Sequence, residues 1–353
     1  MEVCGIGRVR LQPSGDIDLP DKLAASDRWF RQAAAGLAAS GNDYDRAVGL
    51  YAQSIQAALQ AMKDYASARP GCERDEQCMS EWMAAGQQAS AAATDQLARH
   101  AVASRSPAVY ALAFYGCRRA ADNPPASGAC AQISSAQWAQ IDPDNAAPWL
   151  YEAGLAARRK DAKAVDEALL RASKARAMRV HNEAPLRFMD PGILPNDDPV
   201  AMGMAYYQLA GIWAAFPAPD AVAAQYCGPN AAMDGPRRLL CSDLADVLAD
   251  RSSSLLSMGV GARIGERAGW PPERVAAARD FASAINQVWT TASYDQKDLY
   301  TCRTLEVNNK RLSEIFQYGE VGAAKRQIQA SGKSVAELAR EWKQSQSAKQ
   351  DGR

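Results

Sequence analysis

Apolar residues recur at intervals of three and four along most of this chain, the spacing of one face of an α-helix. A predicted helix over 27–39 shows it clearly, with apolar positions at Trp29, Phe30, Ala33, Ala34 and Leu37. No run of alternating apolar and polar residues separates the helical segments, which indicates an all-α protein. Further helices are predicted at 44–67, 76–103, 107–122, 131–140, 146–159, 161–180, 199–215, 218–227, 236–258, 271–293, 299–317, 320–331 and 333–346.

The breaks in this pattern predict the organisation of the chain. Residues 1–20 lack helical spacing, and the alternation at Val9-Arg10-Leu11 predicts a short extended N-terminal arm. Residues 189–199 hold three prolines and a glycine, which cannot continue a helix. They predict either a long loop or a division between a helical half over 21–188 and a second half over 200–346. A polar, frayed tail is expected over 347–353.

One segment predicts a helix pair over 146–180. It begins Ile141-Asp142-Pro143-Asp144-Asn145 and continues to Trp149. Pro143 and Asn145 are expected to stop one helix and cap the next, and Trp149 to be a buried wedge between the two helices. Leu169 and Ala172 supply a large and a small core position on the second helix.

These residues resemble a tetratricopeptide repeat over about 141–175, and residues 28–54 resemble part of the same repeat. The pattern departs at Lys160, where the repeat usually has glycine, and it lacks the closing proline. The resemblance implies an array of helix hairpins, an α-solenoid, which works by offering a concave binding surface. The alanine-rich, cysteine-paired chain is also similar to exported helical-repeat proteins of proteobacteria, a resemblance that implies no activity.

Composition excludes several classes of function. Lys and Arg number 40 and Asp and Glu number 40, so there is no global positive charge to favour nucleic acid. The sequence holds no apolar run of the ~18 residues that a membrane span needs.

The segment Gly259-Val260-Gly261 to Gly265 has a dinucleotide-like spacing but no preceding strand, so a turn is expected there instead.

Catalytic motifs are scarce. Only His100 and His181 are present, each expected to be a lone surface residue, and no GxSxG segment accompanies them. The sequence therefore predicts no catalytic residue, no metal site and no small-molecule cofactor. A carboxylate pair for glycoside cleavage stays open, because such a pair is defined in space and not by spacing.

The eight cysteines predict disulfide bonds, because their number is even and no CxxC spacing points to zinc. Disulfides indicate a periplasmic or secreted protein, whose signal peptide is expected to have been removed from this chain. The alternative is a cytosolic protein with eight reduced cysteines. Three pairs flank predicted turns and one pair remains, which gives Cys72–Cys78, Cys117–Cys130, Cys227–Cys241 and Cys4–Cys302.

Two groups of residues are candidates for binding a partner. Residues 158–187 carry an excess of positive charge, including Arg158, Arg159, Lys163 and Arg171, which suits an acidic partner. Tyr206 and Trp213 are seven residues apart and share a helix face.

We therefore expect a non-catalytic periplasmic or secreted helical scaffold or adaptor that binds a protein, with its concave face near 189–199. One alternative is an envelope immunity or inhibitor protein that occludes a toxin, and another is an envelope hydrolase that uses a carboxylate pair.

Overall fold

The computed structural model describes residues 2–9, 19–69, 71–72, 75–120, 128–181, 183–190, 198, 200–201, 203–205, 219–229, 234–290 and 300–351. Within these residues the protein is all-α apart from one short β-hairpin, as the sequence predicts. The chain forms two compact units, each built from separate stretches of sequence. The large unit comprises Met1–Asp18, Asp142–Val180 and Pro217–Arg353, and the small unit comprises Leu19–Ile141 and His181–Phe216.

The small unit is a set of packed helices. Asn42 caps α2 by accepting a hydrogen bond from the Asp45 amide at 3.0 Å, and Asp75 caps α3 through the Cys78 amide at the same distance. The five apolar residues predicted for α1 are all buried. The helices are α1 (Pro20–Ala38), α2 (Asp43–Ala68), α3 (Glu76–Ala103), α4 (Pro107–Ala120) and α5 (Ser135–Ile141), with 3₁₀ helices at Gly128–Gln132 and Ala184–Met189.

Residues 183–190 pack back onto the first helices of the small unit. Phe188 stacks on Phe30 with ring centroids 4.8 Å apart. The Arg187 guanidinium Nε donates to the Asp45 carboxylate at 2.8 Å and also pairs with Asp190. These contacts attach this segment to α1 and α2, although 142–180 intervenes along the chain.

The large unit begins with a β-hairpin of β1 (Glu2–Val3) and β2 (Gly7–Arg8), which accounts for part of the predicted extended arm. Residues 10–18, which include part of the alternating run, lie outside the described residues. The helices of this unit are α6 (Ala146–Arg158), α7 (Ala162–Ser173), α8 (Ala221–Tyr226), α9 (Gly235–Asp250), α10 (Leu255–Ala268), α11 (Pro272–Thr290), α12 (Cys302–Ala330) and α13 (Val335–Asp351).

The division into units differs from the predicted halves over 21–188 and 200–346. Residues 142–180 belong with the C-terminal helices. Backbone hydrogen bonds explain this, because the Met178 amide donates to the Arg251 carbonyl at 3.0 Å and the Ser253 amide donates to the Met178 carbonyl at 3.2 Å. Pairing of this kind between residues far apart in sequence leaves no signal in local composition.

Several predicted helix boundaries also need correction. The helix predicted over 236–258 ends at Asp250, and the glycine segment predicted as a turn lies inside α10. The helix predicted over 161–180 ends at Ser173. The break predicted between 317 and 320 is a kink inside α12, where Gly319 has a φ of 69°.

Glycine inside α10 has a packing reason. Gly261 lies so close to α9 that a Cβ there would approach the Ala249 backbone nitrogen to 2.5 Å. The glycine therefore permits a close approach of two helices, which a larger side chain would prevent.

Four disulfide bonds staple the fold, with Cα–Cα distances from 4.7 to 5.8 Å, inside the usual range. Cys4 is held further by its amide, which donates to the Tyr300 carbonyl at 2.9 Å. These bonds are consistent with folding in an oxidising compartment. The bonded pairs are Cys4–Cys302, Cys72–Cys78, Cys117–Cys130 and Cys227–Cys241, the same pairs that the spacing predicts.

Among the described helices, none is both long and apolar enough to cross a bilayer.

Candidate functional site

The predicted helix pair is present as α6 and α7. Asn145 caps α6 and is fully buried, and its side-chain oxygen accepts hydrogen bonds from the amides of Ala147 and Arg179. Its side-chain nitrogen donates to the Asp142 carboxylate and to the Arg179 carbonyl, both at 2.8 Å. Asn145 therefore fixes the entry to α6, as the sequence predicts, and also ties it to the chain that follows α7.

The predicted core residues of this hairpin differ in their burial. Leu169 and Ala172 are both 0% exposed. Trp149 is half-buried, which is less than the buried wedge that the sequence predicts. Its indole Nε1 donates to the Pro143 carbonyl at 3.3 Å, and the Arg171 guanidinium lies 4.8 Å from the ring centroid. Trp149 thus lies at the edge of the hairpin, where a cation covers one face of its ring.

The predicted basic residues do not form one patch. Arg158, Arg159 and Lys163 lie together at the turn between α6 and α7, whereas Arg171 lies beside Trp149 at the opposite end of the hairpin. Trp149 and Arg158 are about 14 Å apart along α6 at 1.5 Å per residue. Arg187, which adds to the charge excess in sequence, is in the other unit and pairs with carboxylates there.

The turn itself has an unusual backbone. Lys160 has a φ of 60°, in the left-handed region that favours glycine. Asp161 follows it and caps α7 by accepting a hydrogen bond from the Ala164 amide at 3.1 Å. Holding a residue with a Cβ in this conformation costs about 1–2 kcal/mol.

We define the turn cations as Arg158, Arg159, Lys160 and Lys163. All four side chains are exposed, and none has an ion-pair partner among the described residues. Asp161 is the only acidic residue within 158–163. The turn therefore presents a local excess of positive charge on a hairpin with a buried core.

The second predicted group, Tyr206 and Trp213, lies outside the described residues, as does most of the 189–199 segment. Their proposed role stays a prediction.

Neither histidine is the lone surface residue that the sequence predicts. The His100 side chain is 15% exposed, with Nε2 3.1 Å from Asp43 Oδ1, and the His181 side chain is 12% exposed, with Nδ1 3.8 Å from Glu183 Oε1. Ser104 Oγ donates to the Asp43 carboxylate and not to the imidazole. In a catalytic triad the serine donates to the imidazole, so this group does not have the geometry of a triad.

One buried acid stands out among the carboxyl groups. Asp220 is 1% exposed, and burial raises its pKa, an effect that a hydrogen bond with Ser257 partly offsets. Glycoside cleavage needs a second carboxyl group about 5–9.5 Å away, and the carboxylate pair of the hydrolase alternative stays a prediction. Within the described residues, no group of His, Cys, Asp and Glu is arranged to hold a metal ion.

A cleft of about 820 Å³ opens in the large unit among α9, α10, α11 and α12. We call it the Trp270 cleft. Its volume falls within the ~300–1,000 Å³ of small-molecule sites. The apolar lining includes Met258, Val275, Phe281, Val321 and alanines from three helices, and the charged lining comprises Asp250, Arg263, Glu266, Arg274, Arg279 and Lys325.

Trp270 is fixed at one wall of this cleft. Gly269, with a φ of 93°, ends α10, and the Trp270 amide donates to the Gly265 carbonyl at 2.9 Å. The indole lies against Gly265, where a Cβ would come within 2.5 Å of the ring. The Arg274 guanidinium lies 3.5 Å from the ring centroid. The indole nitrogen has no hydrogen-bond acceptor in the described part of the chain, so ring contacts hold it in place.

Ion pairs join the helices around Trp270. Arg274 of α11 pairs with Asp246 and Asp250 of α9 at 2.8 and 2.6 Å. Arg279 of α11 pairs with Glu266 of α10 at 2.5 Å. Two acidic and two basic groups of the cleft lining are therefore paired with each other between helices, Arg274 with Asp250 and Arg279 with Glu266.

None of these residues is predicted from the sequence as part of a site. The sequence marks this region only by the glycine segment over 259–265 and the Trp270-Pro271-Pro272 turn, which indicate close packing and a helix start. Neither pattern shows that a cleft forms between the helices.

Comparisons with protein-family models, with curated proteins and with solved structures found no match for this chain.

Proposed function

We propose that this protein is an exported, non-catalytic helical-repeat scaffold that binds an acidic protein through its turn cations. The proposal places the protein in the periplasm or outside the cell, where its four disulfides are stable. The TPR-like hairpin α6–α7 is the part of the scaffold that carries the binding residues.

The observation that carries this proposal is the backbone of Lys160. Glycine at this position would relieve the left-handed conformation without strain, yet the chain has a lysine there. Strained residues that persist in a fold cluster at functional sites. Lys160 adds a fourth exposed cation to the turn, and its backbone is strained in doing so.

The other contacts of the hairpin suit the same role. The buried Leu169 and the Asn145 hydrogen bonds hold the turn on a rigid support. Exposed charges on such a support steer an oppositely charged partner and fix its orientation. Because these charges are exposed, salt is expected to screen the attraction at separations beyond about 8–10 Å.

The Lys160→Gly variant tests the proposal directly. It is expected to raise the free energy of unfolding by about 1 kcal/mol, because the strain is relieved, and to weaken partner binding. The measurement is capture of envelope proteins by the immobilised oxidised chain, with mass spectrometry to identify the bound protein and its net charge. Lys174→Ala is the matched control, since Lys174 is an exposed cation that follows α7 with an ordinary helical φ.

A stoichiometric acidic protein that is captured by the wild-type chain and by Lys174→Ala, but not by Arg158→Glu/Arg159→Glu/Lys163→Glu, supports the proposal. Equal capture by the triple variant contradicts it. Turnover of an envelope polymer by the purified chain would contradict it as well and would favour the hydrolase alternative.

A further inference from the structure

The Trp270 cleft is a second surface feature that has no part in the proposed role of the turn cations. It lies in helices α9 to α12, whereas the turn cations lie at the α6–α7 turn. Ligand binding in this cleft is therefore separate from the proposed role of the turn cations.

The floor of the cleft is the outer surface of a hydrophobic core. Met258 and Phe281 line the cleft and are half-buried, and they also pack against the buried cluster that contains Ala284 and Ile328. An apolar ligand on this floor would remove from water a surface that the fold leaves partly exposed, which is favourable in proportion to the area covered.

The charged groups of the cleft are not balanced. Arg274 and Arg279 are paired with carboxylates, but Arg263 and Lys325 have no ion-pair partner among the described residues. Both are exposed, one on α10 and one on α12. The cleft therefore combines an apolar floor with two available cations.

The frame of the cleft is already fixed by the stacked Trp270 and the ion pairs of Arg274 and Arg279. A site that needs little rearrangement loses less free energy on binding than one that must first be ordered.

We propose that the Trp270 cleft binds a single-chain anionic amphiphile. The apolar chain lies on the floor near Met258 and Phe281, and the anionic head lies at Arg263 and Lys325. A small hydrophilic anion leaves the floor uncovered, and a cationic amphiphile faces two like charges, so neither matches this lining. Carboxylate heads suit the two cations because each gains a charge-assisted hydrogen bond.

The first experiment measures calorimetric binding of hexanoate, octanoate, decanoate and dodecanoate to the oxidised protein, each below its micelle concentration. Each added methylene is expected to tighten binding by up to about fourfold until the cleft is filled. Acetate tests a plain anion, and dodecyltrimethylammonium tests the same chain with the opposite charge.

The second experiment uses variants of the lining. Arg263→Ala/Lys325→Ala is expected to weaken dodecanoate binding about tenfold or more. The matched control is Arg267→Ala/Lys310→Ala, which removes two exposed cations from the same two helices but outside this cleft. Ala262→Trp is expected to abolish binding by filling the space above the floor. If that variant does not fold, the cation pair still decides the question, because its side chains are exposed.

Three results would overturn the proposal. One is equal binding of dodecanoate and acetate, which would mean that the cleft binds a plain anion. Another is equal binding of dodecanoate and dodecyltrimethylammonium, which would mean that Arg263 and Lys325 do not select charge. The third is unchanged dodecanoate binding in the Arg263→Ala/Lys325→Ala variant.

Discussion

The contact between Gly265 and Trp270 predicts that alanine at position 265 lowers the free energy of unfolding. Helix propensity alone predicts the opposite. Gly265 lies inside α10, where alanine is intrinsically better than glycine by about 1 kcal/mol. A Cβ at this position would approach three atoms of the Trp270 ring to within 2.5 Å. The ring cannot yield easily, because Arg274 stacks on it and is itself bound to α9.

Gly265→Ala is therefore expected to destabilise the protein by about 1–3 kcal/mol, the usual cost of overpacking, in spite of the gain in helix propensity. Gly259→Ala is the matched control in the same helix, because a Cβ at Gly259 would have no neighbouring atom within 4 Å. That variant is expected to be stabilising by about 1 kcal/mol.

A double-mutant cycle separates the two effects. Trp270 is 8% exposed, and Trp270→Ala alone is expected to cost about 3–5 kcal/mol. In the Trp270→Ala background the obstacle is gone, so Gly265→Ala should become stabilising. The assay is urea unfolding of the oxidised variants followed by far-ultraviolet circular dichroism. A stabilising Gly265→Ala in the wild-type background, or additive free energies in the cycle, would refute the reasoning.

Three further predictions concern the hairpin and the longest disulfide. Leu169→Ala should cost about 2–5 kcal/mol in chemical unfolding, whereas Leu170→Ala, at a side chain 47% exposed, should change stability by less than about 0.5 kcal/mol. Asn145→Ala should cost more than the ~1 kcal/mol of an ordinary cap, because it leaves buried polar groups unsatisfied, and Asn145→Asp should not rescue it, since a carboxylate would face the Asp142 carboxylate. Cys4→Ser/Cys302→Ser opens a loop of 298 residues and should cost about 5–6 kcal/mol in the chain-entropy model, so an unchanged unfolding midpoint would contradict that model here.

Local features of the fold were predictable because they depend on neighbouring residues. The spacing of Trp29, Phe30 and Leu37 places them on one face of α1, and all three are buried. The capping role of Asn145 follows from its position before an apolar run, and the structure confirms it. The existence of most helices could be read in the same way.

Features that depend on distant residues were not predictable. Trp149 is predicted to be a buried core residue, yet nothing in the local sequence shows that the Arg171 guanidinium of α7 covers its ring at the edge of the hairpin. Residues 142–180 are joined to the C-terminal helices by backbone hydrogen bonds at Met178. Such bonds do not require a particular side chain, so the sequence does not reveal them. The Trp270 cleft depends on how four helices diverge, and no single segment encodes that divergence.

Lys160 shows how a residue type that does not suit its backbone conformation can carry information. The sequence alone identifies it only as a mismatch, a lysine where the tetratricopeptide repeat usually has glycine. In the structure Lys160 has a φ of 60°, in the left-handed region that favours glycine. A lysine therefore occupies a backbone conformation that glycine would adopt without strain, and its side chain is the reason to ask what this position does.

The composition of the chain gives a physical reason for combining this strain with disulfides. About one residue in five is alanine, which buries less apolar surface than a larger side chain and so contributes less to stability. Close approaches between helices, such as that of Gly261 to α9, improve the packing of small side chains, but they leave no room for larger ones. Disulfides act differently, because they restrain the unfolded chain and leave the surface of the folded one free. The free energy of unfolding that the disulfides contribute can offset the strain of Lys160 at its exposed turn. Without disulfides, a larger hydrophobic core would have to offset that strain.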